Sequence, residues 1–262
     1  MPKLVAVTPE SHGAKRWLPL SSYRFAAGQI AIPLVAMELP KAMLSMPIAL
    51  IRDNEQKYFP VGLAGITPGK NLFVADDGHW RARYVPAVVR GYPFRLARRE
   101  DHLLLCVDED SGLVTDGPEG EPFFSEDGSP APKVKETLDF LGQVERNRAA
   151  TVEACSQLER HGCVKPWTVT VKSNEAEQPI QGLFHVDATA LNALPDETFL
   201  ELRGTGALLL AYCQLLSEEQ LQVLGRLADA LAKAAVAPPR DNGELDLSFF
   251  SRSETLHFGG PN

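Results

Sequence analysis

Three consecutive carboxylates follow the apolar segment 102–107 and are well suited to chemistry: Asp108, Glu109 and Asp110, with Ser111 next. An extended strand would place Asp108 and Asp110 on one side, and hard divalent cations prefer several oxygen ligands. A half-buried pair would instead hold one carboxyl with a raised pKa that could act as a general acid or base. The alternative is a solvated turn, because acidic residues often form turns and the spacing of an EF-hand loop is absent.

A second candidate site combines aromatic and basic residues: Trp80, Arg81 and Tyr84, next to His79. Stacking on the rings and a guanidinium fork would suit a planar or anionic ligand. The alternative is a strand whose large side chains pair across a sheet, and this interpretation suits His79 better than a ligand role. Both interpretations stay open for Arg81 and Tyr84.

One triplet, His185-Val186-Asp187, matches the start of a two-histidine, one-carboxylate iron site. With Asp108 and Asp110 it forms the alternative metal-ligand set of this chain. Asp187 serves equally well as a helix cap. The P-loop, the dinucleotide fingerprint, H-E-x-x-H, paired C-x-x-C motifs and the G-x-S-x-G elbow are all missing from the sequence. The motifs therefore leave both the cofactor and the reaction, if there is one, unknown.

The charge balance argues against nucleic acid as a partner. The 262 residues carry a formal net charge of −8. Nonspecific nucleic-acid binding needs basic clusters that displace counterions from phosphate, and basic residues concentrate only in residues 81–99. We therefore expect a protein or small-molecule partner, with the oligomeric state left open.

Cysteine usage and the terminal segment both bear on location. Cys106, Cys155, Cys163 and Cys213 lie far apart in apolar surroundings, which predicts buried free thiols and a reducing compartment. Residues 1–10 lack the uninterrupted apolar segment of a secretory signal. No run approaches the roughly 20 apolar residues of a membrane helix. These features predict a cytoplasmic protein without a membrane span.

Short strands are predicted in the N-terminal half. Two apolar runs, 48–52 and 58–66, flank a polar break and predict a hairpin. Turn dipeptides bracket a third predicted strand at 71–75. Residues 34–46 have helical spacing, although Pro40 should kink or divide that helix.

Helices are predicted to dominate the C-terminal half. Apolar residues recur at helical steps from Val134 to Leu158, which predicts one long helix that stops near Gly162. Segments 167–172 and 180–186 are predicted to form a second hairpin. Asp187 should cap a short helix, residues 207–213 should form a core helix, and Ser217 should begin a capping box ahead of a final helix.

Together these patterns predict an α+β fold in which an antiparallel strand meander in the N-terminal half packs on a mainly helical C-terminal half with an inserted hairpin. Residues 1–237 are predicted to form a single domain. Residues 238–262 combine a linker with a short tail rich in large apolar side chains, which we expect to dock on its own domain or on a partner.

The order of short phrases along residues 18–230 resembles the SapC family of bacterial proteins. The phrases are PLVAME at 33–38, YFPV at 58–61, NLFV at 71–74, WRARYVPA at 80–87, YPF at 92–94, CVDEDSG at 106–112, GLFHVD at 182–187 and LNALPD at 191–196. The resemblance implies a bacterial protein whose family is named after a surface-layer gene cluster. Relatives are also encoded beside outer-membrane receptor and flavin-halogenase or cupin-type oxygenase genes.

Three classes of function follow from these observations. The first is a cytoplasmic accessory or binding protein that recognises a partner protein or small ligand through Trp80, Arg81, Tyr84 and the 108–111 segment. The second is a metal-assisted, oxygenase-associated enzyme that uses Asp108 and Asp110 with His185 and Asp187. The third is a surface-layer-associated protein, which the missing secretion signal disfavours.

Overall fold

The computed structural model describes residues 3–99, 102–173 and 176–236. Its helices are α1 (Pro9–His12), α2 (Leu39–Ala42), α3 (Ala87–Arg90), α4 (Pro132–Arg160), α5 (Ala188–Asn192), α6 (Asp196–Gly204), α7 (Ala207–Ser217) and α8 (Gln220–Val236). Its strands are β1 (Leu4–Ala6), β2 (Arg16–Trp17), β3 (Ala31–Pro33), β4 (Ile48–Arg52), β5 (Tyr58–Leu63), β6 (Phe94–Arg99), β7 (His102–Asp108), β8 (Val114–Thr115), β9 (Glu121–Pro122), β10 (Val164–Pro166), β11 (Val169–Ser173), β12 (Ala176–Ile180) and β13 (Phe184–Val186).

The described strands form four antiparallel sheets. The largest has the order β10-β13-β4-β5-β3, and a second has the order β1-β7-β6. The small sheets are β8-β2-β9 and the hairpin β11-β12. Antiparallel sheets in the N-terminal half and helices in the C-terminal half confirm the predicted α+β class.

The predicted first hairpin is confirmed as β4 and β5, which pair from Ile48 opposite Gly62 to Arg52 opposite Tyr58. A side chain at Gly62 would overlap the sulfur of Met46, so this strand position accepts only glycine without repacking. Met46 is fully buried.

The predicted third strand, 71–75, is wrong. Within that segment the structure shows only an isolated bridge between Val74 and Trp80. The buried Asn71 amide replaces a strand ladder, since its Nδ2 donates to the Ala26 carbonyl and its Oδ1 accepts from the Phe73 N–H. A side chain that bonds its own neighbouring backbone favours a turn over a strand.

The predicted helix over 34–46 is present only in part. A 3-10 turn at Ala36–Glu38 runs into the four-residue helix α2, where Pro40 lies in the first turn. Proline is tolerated at that position because its missing N–H would have had no helical partner. Pro40 therefore lies near the start of a helix rather than at a kink within one.

The long helix α4 is confirmed, and it links the two larger sheets. Pro132 occupies its first position, and Gly162 follows its end with a φ of +68°. The helix contacts both β5 and β6. Near its start, Val134 and Leu141 join a buried cluster with the core residues Phe94, Val107, Phe123 and Ala131.

The second hairpin has a different partner from the one predicted. Strand β11 pairs with β12, whereas β13 pairs with β10 and β4. Helix α7 confirms the predicted core helix. The capping box at Ser217 is wrong, because its buried hydroxyl accepts from the Ile48 N–H and donates to the Gln214 carbonyl.

The chain divides into two units, residues 1–228 and residues 229–262. The first holds all four sheets and the helices α1 to α7. Of the second, residues 229–236 are described and are helical, while the apolar residues of the expected tail lie outside the described residues. None of the helices in the described ranges has the length and apolarity needed to span a bilayer. All four cysteines are buried and unpaired, as predicted.

Candidate functional site

Trp80 and Arg81, two of the predicted site residues, are engaged with the backbone around them. The Trp80 indole Nε1 donates to the Tyr84 carbonyl over 2.8 Å. Arg81 donates from one terminal nitrogen to the carbonyls of Leu72, at 3.3 Å, and Val74, at 2.8 Å. These bonds hold the 71–84 loop in place of strand pairing.

Tyr84 is hydrogen-bonded to the buried carboxylate of Glu38, which the sequence motifs did not single out. Its hydroxyl donates to Oε1 of Glu38 over 2.7 Å. The same oxygen accepts from the Ala87 N–H at 2.6 Å, and Oε2 accepts from the Val35 N–H at 3.1 Å. Burial, followed by the hydrogen bond to Glu38, raises the pKa of Tyr84 well above its usual value. Glu38 thus joins the 3-10 turn at 36–38 to the start of α3.

The acidic segment 108–111 forms a turn at the end of β7. The buried Asp108 carboxylate accepts from the backbone N–H groups of Lys3 and Asp110. The Glu109 carboxylate accepts hydrogen bonds from Lys3 Nζ at 2.8 Å and from Lys15 Nζ at 2.9 Å. These hydrogen bonds lower the pKa of Glu109 to about 2. Asp110 is exposed, and the Ser111 hydroxyl accepts from the Leu113 N–H.

The two groups of predicted site residues, 80–84 and 108–111, are held in place by different parts of the chain. Across the described ranges, no hydrogen bond or ion pair links Trp80, Arg81 or Tyr84 to the 108–111 turn. The 80–84 group is held by loop backbone and by Glu38, whereas the 108–111 turn is held by the N-terminal segment. The recognition face built from both groups therefore stays a prediction.

The alternative metal ligands are also divided, because Asp108 ends β7 in the β1-β7-β6 sheet and His185 lies in β13 of the five-stranded sheet. His185 Nδ1 is 2.9 Å from Glu218 Oε1. Asp187 caps α5 as predicted and pairs with Lys165 at 3.2 Å. In residues 3–99, 102–173 and 176–236, no three His, Cys, Asp or Glu side chains converge to hold an ion.

Beside Glu109 lies a buried histidine that sequence reasoning missed. His12 has no exposed side-chain surface, and its ring packs 4.9 Å from that of Phe123. Neither ring nitrogen has a hydrogen-bond partner among the described residues, although Nε2 lies 3.6 Å from Glu109 Oε1. Burial, aided by Lys15, lowers the pKa of His12, while Glu109 acts in the opposite direction.

The substitution His12→Leu should change how stability depends on pH. The pKa of His12 is lower in the folded protein than in the unfolded chain. As the pH falls below about 6.5, the unfolded chain therefore becomes protonated at His12 before the folded protein does. This histidine therefore removes stability as the pH falls, and His12→Leu should flatten the slope between about pH 6.5 and 5. Urea unfolding across that range measures the slope.

The matched control is His102→Leu, because His102 is exposed on β7. It should leave the slope as in the wild-type protein. Glu109 acts in a lower window, since its stabilisation is present above pH 4.5 and is lost toward a pH of about 2. An unchanged slope in His12→Leu between pH 6.5 and 5 would contradict the assignment.

An apolar space borders the buried Glu38 side chain. A cleft of about 280 Å³ opens between the 33–38 segment, β5, α3 and one face of α4. We call it the apolar cleft. Its lining residues are Pro33, Leu34, Val35, Glu38, Asp53, Phe59, Val88, Val144, Arg148, Thr151 and Val152.

Helical spacing explains the wall that α4 provides. Val144, Arg148, Thr151 and Val152 are separated by four, three and one residues, which places them on one side of a helix. Thr151 fixes this wall to the opposite one, because its hydroxyl accepts from the Ala36 N–H at 2.8 Å and donates to the Asn147 carbonyl.

Most polar groups of the cleft are already bonded within the protein. Glu38 accepts three hydrogen bonds, and Asp53 Oδ1 accepts from the N–H groups of Glu55 and Lys57. Arg148 differs, because only its Nε is engaged in the described contacts, with Glu145 Oε2 at 2.9 Å. Its terminal nitrogens are the donors best placed to meet a ligand.

The lining of the cleft is mainly apolar and has few side chains suited to proton transfer or nucleophilic attack. Among its lining residues in the described structure there is no histidine, cysteine or lysine. Its carboxylates are held by donors, and its remaining surface is mainly aliphatic with the Phe59 ring. Such a site excludes water from an apolar ligand and offers one cationic group for orientation.

Only part of this site could have been found from the sequence. Glu38 is the last residue of the 33–38 phrase on which the family resemblance rests. Nothing in the sequence indicated that its carboxylate is buried. Arg148 and Thr151 lie within an ordinary helical pattern. Arg148 and Thr151 lie beside residues 33–38 through long-range contacts, which the helical periodicity of the sequence does not predict.

The fold is α+β, and the cleft beside Glu38 is a preformed space with a mainly apolar lining. The family model for SapC matches residues 7–224, which is most of the chain, and the protein belongs to the SapC family. The comparison with curated proteins and the comparison with solved structures each gave no match.

Proposed function

We propose that this protein is a non-catalytic binding protein that holds a small, mainly apolar molecule in the apolar cleft. The observation that carries the proposal is a cleft of about 280 Å³ whose buried carboxylate, Glu38, is already bonded to three donors. A ligand would therefore enter a preformed site without breaking those bonds. Small-molecule sites are typically clefts of roughly 300–1,000 Å³ with an apolar lining and few polar groups.

The half-buried apolar side chains at the cleft support this assignment. Phe59, Val88, Val144 and Val152 each keep part of their surface open. Covering that surface with a ligand is favourable at roughly 25 cal/mol per Å². We place this binding activity in the cytoplasm, in an accessory role beside other bacterial proteins.

Two earlier hypotheses stay predictions. In the first, a partner protein is recognised through Trp80, Arg81, Tyr84 and the 108–111 turn. In the second, a metal-assisted enzyme uses Asp108 and Asp110 with His185 and Asp187. The cleft is favoured because it is concave and assembled from four parts of the fold, whereas the predicted groups are engaged in holding loops and a turn.

Binding of N-phenyl-1-naphthylamine, a neutral apolar dye whose fluorescence rises in apolar surroundings, tests the proposal. The substitution Val152→Trp should fill the cleft and weaken dye binding about tenfold or more. The matched control is Ala150→Trp, on the same helix but exposed and outside the lining. It should bind the dye like the wild-type protein.

A second variant guards against misfolding of the first. Val144→Phe fills the cleft from another turn of α4 with a smaller change in volume, and circular dichroism melts confirm that each variant folds. Equal dye affinity in the wild-type protein, both cleft variants and the control would overturn the proposed site.

A further inference from the structure

A second hollow adjoins the apolar cleft on the other side of Arg148. It has a volume of about 210 Å³ and shares Val88, Val144 and Arg148 with the cleft. Phe94 and Leu96 of β6 add apolar surface there. The same three residues line both spaces, so the spaces are neighbours along α4, and we call the two together the groove.

The two ends of this groove differ in charge. The second hollow is lined by Arg95 and Arg148 with Glu145 as its one acid. The apolar cleft shares Arg148 but lacks Arg95, and its acids, Glu38 and Asp53, both accept hydrogen bonds from N–H groups of the protein itself. The second hollow is thus the end that favours negative charge, and the apolar cleft is the end that favours hydrocarbon.

The Arg148 guanidinium stands where the two parts meet. Glu145 binds its Nε across one turn of α4, at i and i+3, which fixes the plane of the group. Two terminal nitrogens remain for a ligand, and a guanidinium edge matches a carboxylate with two parallel hydrogen bonds. The Arg148 side chain is 55% exposed, so a ligand can reach it from solvent.

We propose that the groove binds a single-chain amphiphile with a carboxylate head group. The carboxylate lies against Arg148, on the side of Arg95, and the alkyl chain lies in the apolar cleft between Phe59 and Val152. This inference rests on the proposed function and adds the ligand class and its orientation. A cationic head group is disfavoured at this position, because it would lie beside the positive charges of Arg95 and Arg148.

Competition against the bound dye tests the ligand class with three molecules of equal chain length: decanoate, decanol and decylammonium. The wild-type protein should bind decanoate about tenfold more tightly than decanol, since a hydrogen bond to a charged group contributes about that factor. Decylammonium should bind no better than decanol. Octanoate should bind about fifteenfold more weakly than decanoate if both added methylenes are buried.

The substitution Arg148→Gln should remove the tenfold preference for decanoate and change decanol affinity less than twofold. Arg146→Gln is the matched control, because Arg146 is an exposed arginine of the same helix outside both linings. It should keep the preference. Equal losses in Arg148→Gln and Arg146→Gln would show that only net charge matters and would overturn the inference.

The outcomes separate this inference from the proposed function. If decanol displaces the dye and decanoate is no better, the binding site stands and the carboxylate assignment fails. Tighter binding of decylammonium than of decanoate overturns the assignment as well. If none of the three molecules displaces the dye, and Val152→Trp leaves dye binding unchanged, both proposals fail.

Discussion

Replacing Glu38 with alanine is expected to lower the free energy of unfolding by about 3–5 kcal/mol. The substitution leaves the Val35 and Ala87 N–H groups and the Tyr84 hydroxyl without their acceptor. Each buried donor without a partner costs about 1–3 kcal/mol, and these losses do not add fully. Natural domains are stable by only about 5–15 kcal/mol. Denaturant unfolding measures the change.

Two graded variants locate the effect in the carboxylate. Tyr84→Phe removes one donor and keeps the carboxylate bonded to two N–H groups, so it should cost about 1 kcal/mol. Glu38→Gln keeps the shape of the side chain but turns an amide N–H₂ toward one of the donors. Its loss of unfolding free energy should therefore lie between those of Tyr84→Phe and Glu38→Ala. A Glu38→Ala loss no larger than that of Tyr84→Phe would refute the role of Glu38 as the joint between the 36–38 turn and α3.

The substitution Gln214→Leu should cost about 2–4 kcal/mol, although leucine fills a similar volume. The fully buried Gln214 side chain accepts from the Val186 N–H at 2.8 Å and donates to the Ile48 carbonyl at 3.2 Å. Strands β4 and β13 pair only at Leu50 and Phe184, so this side chain completes their bonding beyond that point. Leucine leaves both buried backbone groups unpaired.

The matched control is Gln222→Leu, on the exposed side of α8. A surface exchange of this kind should stay within about 0.5 kcal/mol. Thermal melts of both variants provide the comparison. Equal stability of Gln214→Leu and Gln222→Leu would mean that the α7 contact with the sheet does not depend on this amide.

Local patterns predicted the elements that local physics determines. The β4–β5 hairpin follows from two apolar runs around a polar break, and α4 follows from a long 3.6-residue period with Pro132 at its start. Asp187 caps α5 as its side chain and position suggested. In each case the stabilising contacts lie within a few residues along the chain or across a short turn.

The errors occur where distant residues decide the local structure. Segment 71–75 has strand-forming residues, yet Asn71 bonds the backbone at Ala26, which is 45 residues away. Strand β13 pairs with β10 and β4, so the nearest apolar run in the sequence was not its partner. The apolar cleft depends on the Thr151 bond to Ala36, which spans 115 residues. The periodicity of apolar residues in one sequence does not reveal such long-range contacts.

The shared use of α4 has a consequence for the evolution of the family. The helix that lines the groove also packs on β5 and β6, so some groove positions serve the fold as well as the proposed ligand. Glu38 and Thr151 are buried and bonded, and change there would be purged for loss of stability. Val144, Arg148 and Val152 retain open surface. Divergence of ligand preference among relatives should therefore concentrate at these three positions, leaving the hydrogen-bonded joint of the fold intact.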